Sequence, residues 1–232
     1  MVLHSGITAV AALIGDPSRT AILMALGDGG SLPAGELARL AHISPQTASS
    51  HLTKLVEGGL LVVVAQGRHR YYQFAGPEIA QVLETIGAVK SPPDKVHSLR
   101  ESVQANALRF ARTCYGHLAG KLGVNFTQAM VKKGFFEDLG QYYQLTDQGR
   151  EWLEEFRLTL LPPNSFNVPI PHHIDWTERQ HHISGPLALA ITKRLRELEW
   201  ITSGPVRRSL QVTEWGKEQF LQKLGCIYEP GV

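Results

Sequence analysis

Apolar residues recur at helical spacing through the first sixty positions, and capping residues separate the runs. Asp16-Pro17 opens the run Thr20-Ala21-Ile22-Leu23-Met24-Ala25-Leu26, which Gly27 and Gly29-Gly30 close. The Asp carboxylate accepts from free amides of the first turn, and Pro next to it has a pre-set φ and loses no helical hydrogen bond. A second, shorter helix is predicted over residues 33–41, with Leu37 and Leu40 inward beside Ala38 and Ala41. The tight connection His42-Ile43 follows, and Ser44-Pro45 repeats the cap-and-proline start ahead of a helix over 46–57. There Ala48, Leu52, Leu55 and Val56 form one apolar stripe at i, i+4, i+7 and i+8.

The opposite face of that third helix carries Gln46, Thr47, Ser50, Thr53 and Lys54. It is small, polar and almost free of acid, as a helix entering a DNA major groove must be. Gly58-Gly59 ends the helix. A β-branched strand, Leu60-Leu61-Val62-Val63-Val64, then leads through a basic turn, Gln66-Gly67-Arg68-His69-Arg70, to a return strand, Tyr71-Tyr72-Gln73-Phe74. A hairpin tipped with cations directly after such a helix suits the minor groove or adjacent phosphates. Each piece alone is commonplace; the ordered set is specific.

Residues 15–75 resemble the ArsR/SmtB family of winged-helix repressors. The likeness is carried by Gly15-Asp16-Pro17-Ser18-Arg19 with Ile22-Leu23, Glu36-Leu37-Ala38, and Ser44-Pro45-Gln46-Thr47-Ala48-Ser49-Ser50-His51-Leu52. It continues through Leu55-Val56-Glu57-Gly58-Gly59-Leu60 and Gly67-Arg68-His69-Arg70-Tyr71-Tyr72. The resemblance implies a homodimer that represses from a double-stranded DNA operator and leaves when an effector binds. It implies base contacts around Ser44, Gln46, Thr47, Ser49, Ser50, His51 and Lys54, and phosphate or minor-groove contacts from Arg68, His69 and Arg70. The chain departs from the family's metal sensors. Leu32-Pro33-Ala34-Gly35-Glu36-Leu37 has no Cys-x-Cys, and the helix expected over 77–89 has Glu78 and Glu84 but no histidine. Sensing is therefore expected elsewhere in the chain.

Charge qualifies the DNA reading. The net charge is +2. Residues 1–92 hold six Lys/Arg against six Asp/Glu, so placement of the cations, not their excess, must carry the argument. With 43% hydrophobic and 19% charged residues the composition is that of a soluble globular protein. Apolar runs fall short of the roughly 18 residues a membrane span needs. Met1-Val2-Leu3-His4-Ser5-Gly6 does not read as a signal peptide, and two cysteines, Cys114 and Cys226, do not make a disulfide framework. A cytoplasmic protein without a membrane partner is expected.

Residues 1–90 are thus read as a DNA-binding and dimerisation domain, with Ile7–Ile14 and 79–89 as apolar flanks where the family dimerises. Lys90-Ser91-Pro92-Pro93-Asp94 reads as a linker, centred on 91–94. Residues 95–232 contain a repeat, about 110–160 and 175–225. Gly116-His117-Leu118-Ala119-Gly120 aligns with His181-His182-Ile183-Ser184-Gly185. With the same offset Leu122 meets Leu187, Phe126 Ile191, Thr127 Thr192, Met130 Leu195, and Phe135-Phe136 meets Trp200-Ile201. After a small insertion, Tyr143-Gln144-Leu145-Thr146-Asp147-Gln148-Gly149 meets Leu210-Gln211-Val212-Thr213-Glu214-Trp215-Gly216. Each copy ends in an amphipathic helix, 150–160 or 217–224. The fold expected is mainly α with small β-hairpin wings: a winged helix-turn-helix, then a duplicated, winged-helix-like region.

A proline-rich crossing over 161–171 delivers the segment 172–182, which holds four of the ten histidines. Cys114-Tyr115-Gly116-His117 is a Cys-x-x-His in the other copy, and His117 and His182 are equivalent by repeat. Cys114, His117, His173, Asp175 and His182 are candidate effector ligands, suited to zinc, nickel or copper. Two alternatives stand beside the metal: an organic-ligand pocket lined by Tyr115, Phe126, Trp176 and Trp200, or a redox switch at Cys114 with a nearby His stabilising the thiolate. A winged-helix module that binds protein is a competing function. An enzyme is a weaker one, because phosphate-loop, Gly-x-Ser-x-Gly, His-Glu-x-x-His and dinucleotide motifs are all missing.

Overall fold

The computed structural model describes residues 5–67, 69–89, 99–158 and 169–226. The chain divides into two units, Met1–Val82 and Leu83–Val232, so the division falls inside the helix expected to close the first domain rather than at residue 90. The linker at 91–94 and most of the proline-rich crossing lie outside the described residues.

The first unit contains α1 (Ser5–Ile14), α2 (Pro17–Ala25), β1 (Leu32–Pro33), α3 (Ala34–Leu40), α4 (Pro45–Glu57), β2 (Leu61–Gln66) and β3 (His69–Phe74). The two cap-and-proline starts act as the sequence predicts: Asp16 accepts from Arg19 N and Ser44 from Thr47 N. The stripe Ala48, Leu52 and Leu55 is fully buried with Ile22, Leu23, Leu26 and Leu37. The hairpin is longer than expected. Gln66 pairs with His69, so His69 and Arg70 lie in β3, and Gly67, at φ +60°, makes the tight turn. Leu32-Pro33 is a strand, not a helix start, because it pairs with Tyr72 and Tyr71 of β3. The sheet order is β1-β3-β2. This is a winged helix-turn-helix. α5 (Pro77–Ala88) follows it.

The second unit adds α6 (Leu99–Phe110), which the sequence reading did not foresee, and then runs one series of elements twice. The first series is β4 (Arg112–Cys114), β5 (His117–Ala119), α7 (Gly120–Lys132), β6 (Phe136–Asp138), β7 (Tyr143–Leu145) and α8 (Asp147–Glu155). The second is β8 (His172–Ile174), β9 (His181–Ile183), α9 (Gly185–Glu197), β10 (Ile201–Ser203), β11 (Leu210–Val212) and α10 (Glu214–Leu224). Each repeat therefore carries a leading hairpin that residue alignment alone did not reveal. The repeated Thr-x-x-Gly has a double cause. Thr146 caps α8 by accepting from Gly149 N at 2.9 Å and donates to the Gly134 carbonyl at 2.6 Å. Thr213 caps α10 at 2.8 Å and donates to the Glu199 carbonyl at 2.6 Å. A Cβ on Gly149 or Gly216 would overlap the carbonyl oxygen of Phe135 or Trp200, so only glycine allows each helix its close approach.

The repeats share one core, to which Leu122, Phe126, Met130 and Leu153 contribute from one copy and Leu187, Ile191, Leu195 and Phe220 from the other. They also exchange hydrogen bonds reciprocally. Leu118 N donates to Thr192 Oγ1 at 2.9 Å, and its repeat equivalent Ile183 N donates to Thr127 Oγ1 at 3.1 Å. A bond and its counterpart with the copies interchanged define a local two-fold relation between the repeats.

Candidate functional site

Two surfaces carry chemistry, one in each unit. In the first unit α4 turns its apolar stripe inward and leaves Gln46, Thr47, Ser49, Ser50, Thr53 and Lys54 exposed. Ser44 Oγ lies 2.8 Å from the Thr47 hydroxyl, and Thr53 donates back to the Ser49 carbonyl at 3.0 Å. The outward set is thus mainly Gln46, Ser49, Ser50 and Lys54. His51 departs from the sequence expectation. It is half-buried against α2, its Nδ1 3.5 Å from Arg19 Nη1 and 4.0 Å from Asp16 Oδ1, so it braces α4 on α2 rather than facing outward. His69 and Arg70 are exposed on β3, and Arg68 lies outside the described residues.

In the second unit the leading hairpins converge. Cys114 and His117 are cross-strand partners on β4 and β5; His173 and His182 are cross-strand partners on β8 and β9. Each hairpin therefore presents two side chains from one face. The ligand atoms of these four residues all lie within 4.8 Å of one another, and the group could hold a metal ion. Cys114, His117 and His182 are buried, and the two equivalent histidines meet Nε2 to Nε2 at 3.2 Å. Strand alternation sends His172 and His181 to the hairpin's other side, where their rings stack at 3.9 Å.

Burial sets the electrostatics. It drives His117 well below the ordinary imidazole range, with the His182 and His173 rings adding to the effect. Burial brings His173 down to about 4, and brings His182 down to about 3 against the opposing pull of Asp175. Neutral imidazoles are the form that binds metals. The Cys114 thiol is pushed well up, by burial first and then by the Glu84 carboxylate to which it hydrogen-bonds. Cys114 is sealed in the core, whereas redox-sensing cysteines are solvent-accessible.

Asp175, expected among the ligands, stands behind them. Its Oδ2 accepts from Arg112 Nη2 at 2.8 Å and Gly120 N at 2.7 Å, and lies 3.8 Å from His182 Nδ1. Burial raises its pKa, but Arg112 and the Thr177 hydrogen bond outweigh that and hold it at about 2. Arg112, fully buried, also reaches Glu84 of α5 at 3.4 Å and stacks over Trp176 at 4.8 Å. Burial raises Glu84 despite that neighbouring guanidinium. Sequence reasoning missed Arg112 and Glu84, whose partners lie far away in the chain. The aromatic set expected to line an organic pocket is dispersed: Phe126 and Trp200 are core residues, while Trp176 covers Arg112. A cavity of about 650 Å³ in this unit is lined by α6, Lys121 and the β11–α10 region instead.

The helix pair α3–α4 with its wing is the architecture of a DNA-reading module. Residues 14–64 match a family model described as a helix-turn-helix domain. A Bacillus subtilis (strain 168) protein described as an uncharacterized HTH-type transcriptional regulator, YdfF, is 40% identical over 223 residues, 96% of this chain and 98% of that one. The chain belongs to the HTH-type transcriptional regulators, and its kinship is with DNA-binding proteins, not enzymes. Among solved structures it is similar to the homodimeric winged helix-turn-helix domain of Mb0332 from Mycobacterium bovis, a possible ArsR-family regulator. That match is 22% identical, covers 40% of this chain and 91% of that one, and has a TM-score of 0.35. It is also similar to the transcriptional repressor BigR from Xylella fastidiosa, at 20% identity, 38% and 88% coverage and a TM-score of 0.34. Among the described residues no single helix is long and apolar enough to cross a membrane.

Proposed function

We propose that the protein is a homodimeric repressor whose operator affinity is controlled by a transition metal bound in its second unit. The observation that carries the effector assignment is the convergence of Cys114, His117, His173 and His182, drawn from two equivalent hairpins, within 4.8 Å. In this reading Gln46, Thr47, Ser49, Ser50 and Lys54 read bases, and Arg70, with Arg68 and His69, holds phosphates or the minor groove. Ser44 fixes the start of the reading helix. Exposed Ile7 on α1, and exposed Val82 and Ile86 on α5 with exposed Val89 just past its end, at i, i+4 and i+7, support dimerisation through those helices. The second unit would bias the spacing of the two reading helices through α5, which carries Glu84. A metal can do so only by its differential affinity for the two arrangements. No membrane partner is invoked, and a cytoplasmic location fits this role.

The test is fluorescence anisotropy on DNA from upstream of the chain's own gene, as Zn²⁺ is titrated. Zn²⁺ should weaken binding by the wild type and leave a His117→Ala/His182→Ala variant on the operator. Equal response of the two proteins would reject the site.

A further inference from the structure

The distances in the cluster allow its coordination to be stated more closely, on the reading that the second unit binds a metal. We infer that the site is a closed, four-ligand tetrahedral centre of one thiolate and three imidazoles, selective for a Zn²⁺-like ion, in which Asp175 is the positioning carboxylate for His182.

The first support is size. With Zn–N bonds of about 2.0–2.1 Å, two imidazole nitrogens at the tetrahedral angle stand about 3.3–3.4 Å apart. His117 Nε2 and His182 Nε2 are already 3.2 Å apart. The widest pair in the group, at no more than 4.8 Å, needs to close by about 1.5 Å at most to reach an edge of the same tetrahedron. The second support is closure. Three of the four ligands are buried and come from facing hairpins locked by the Leu118–Thr192 and Ile183–Thr127 bonds, so a water-bearing fifth position has little room. The ligand atoms are nitrogen and sulfur, which Mg²⁺, Ca²⁺ and Mn²⁺ do not favour.

The third support is an orphaned atom. His182 is wholly buried, and its Nδ1 has no hydrogen-bond partner at the distances observed. The closest acceptor is Asp175 Oδ2, 3.8 Å away and itself anchored by Arg112 and Gly120 N. A small rotation of the ring on coordination brings Nδ1–H onto that carboxylate. The tautomer is then fixed with its lone pair on Nε2, facing the ion, and the carboxylate raises the ligand's basicity.

Co²⁺ titrated into the full chain is the probe. Four-coordinate binding gives intense visible absorption and a thiolate-to-metal band in the near ultraviolet, one ion per chain; Cys114→Ser loses the ultraviolet band. Asp175→Asn keeps the visible spectrum but binds roughly 10–100-fold more weakly, the usual effect of removing such a partner. Two measurements avoid dependence on a variant that also perturbs Arg112. X-ray absorption on the Zn²⁺-loaded wild type should give one sulfur near 2.3 Å and three nitrogens near 2.0–2.1 Å. Nitrogen-15 NMR should show His182 as the Nδ1–H tautomer. The pale spectrum of six-coordinate Co²⁺, or a protonated Nε2 on His182, overturns this inference while leaving a metal effector in place. Failure to bind either Co²⁺ or Zn²⁺ overturns the metal reading itself.

Discussion

Replacing Thr192 by Val removes one oxygen at constant shape and tests whether the repeats are locked as described. The Thr192 hydroxyl is buried, accepts Leu118 N at 2.9 Å and donates to the Ala188 carbonyl at 2.8 Å. The Ala188 oxygen keeps its helical role, so the main loss is an acceptor for a buried backbone N–H, which costs about 1–3 kcal/mol. For a cooperative unit of about 150 residues, each kcal/mol moves Tm by roughly 2–4 °C, so calorimetry should register a fall of about 2–12 °C. Leu118 follows His117, so Zn²⁺ affinity should fall as well. Thr192→Ser keeps the hydroxyl and should recover the affinity. Thr127→Val should reproduce the behaviour through Ile183 N, 3.1 Å away. A Thr192→Val protein with unchanged Tm and unchanged Zn²⁺ affinity would refute the reciprocal lock.

Further outcomes follow from the two surfaces. Gln46→Ala or Ser50→Ala should reduce sequence discrimination by about 1–3 kcal/mol per lost base contact, measured by competition with mismatched operators. Arg70→Ala should instead weaken all sequences alike and flatten the dependence of affinity on salt; an unchanged slope would remove the wing from the interface. Ser44→Ala deletes the cap of α4 and should destabilise the first unit by about 0.5–2 kcal/mol in urea titrations. Ile86→Glu with Val89→Glu should yield a monomer by light scattering, with reduced operator affinity; a dimer would move the interface off α5.

The features legible in the sequence were those with local causes. Asp16-Pro17 and Ser44-Pro45 announce helix starts because a cap and its amide lie within three residues. The Ala48–Leu52–Leu55 stripe declares which face of α4 remains outside. The repeat was legible because Thr146-x-x-Gly149 and Thr213-x-x-Gly216 each serve a cap and a close backbone approach, leaving residue types little freedom. The missed features depend on distant partners. Leu32-Pro33 becomes a strand only because β3 returns beside it. Arg112 reads as an ordinary solvated cation until Glu84 and Asp175, 28 and 63 residues away, enclose it. His172 and His173 cannot be told apart before strand register is known. Pairing with His182 then selects His173 for the cluster. Asp175 lies beside the cluster, held by Arg112 and Gly120 N, and residue type alone does not distinguish a ligand from a carboxylate behind one.

The most direct measurement of the central claim is the Zn²⁺ affinity of the protein free and bound to its operator, by competition with a chromophoric chelator. Coupling between two sites is reciprocal: the factor by which Zn²⁺ weakens the operator must equal the factor by which the operator weakens Zn²⁺, typically about 5–150-fold. The account predicts weaker Zn²⁺ binding in the complex by the factor seen in anisotropy, and abolition of that difference in the His117→Ala/His182→Ala variant. Identical Zn²⁺ affinity in free and operator-bound wild-type protein would contradict it.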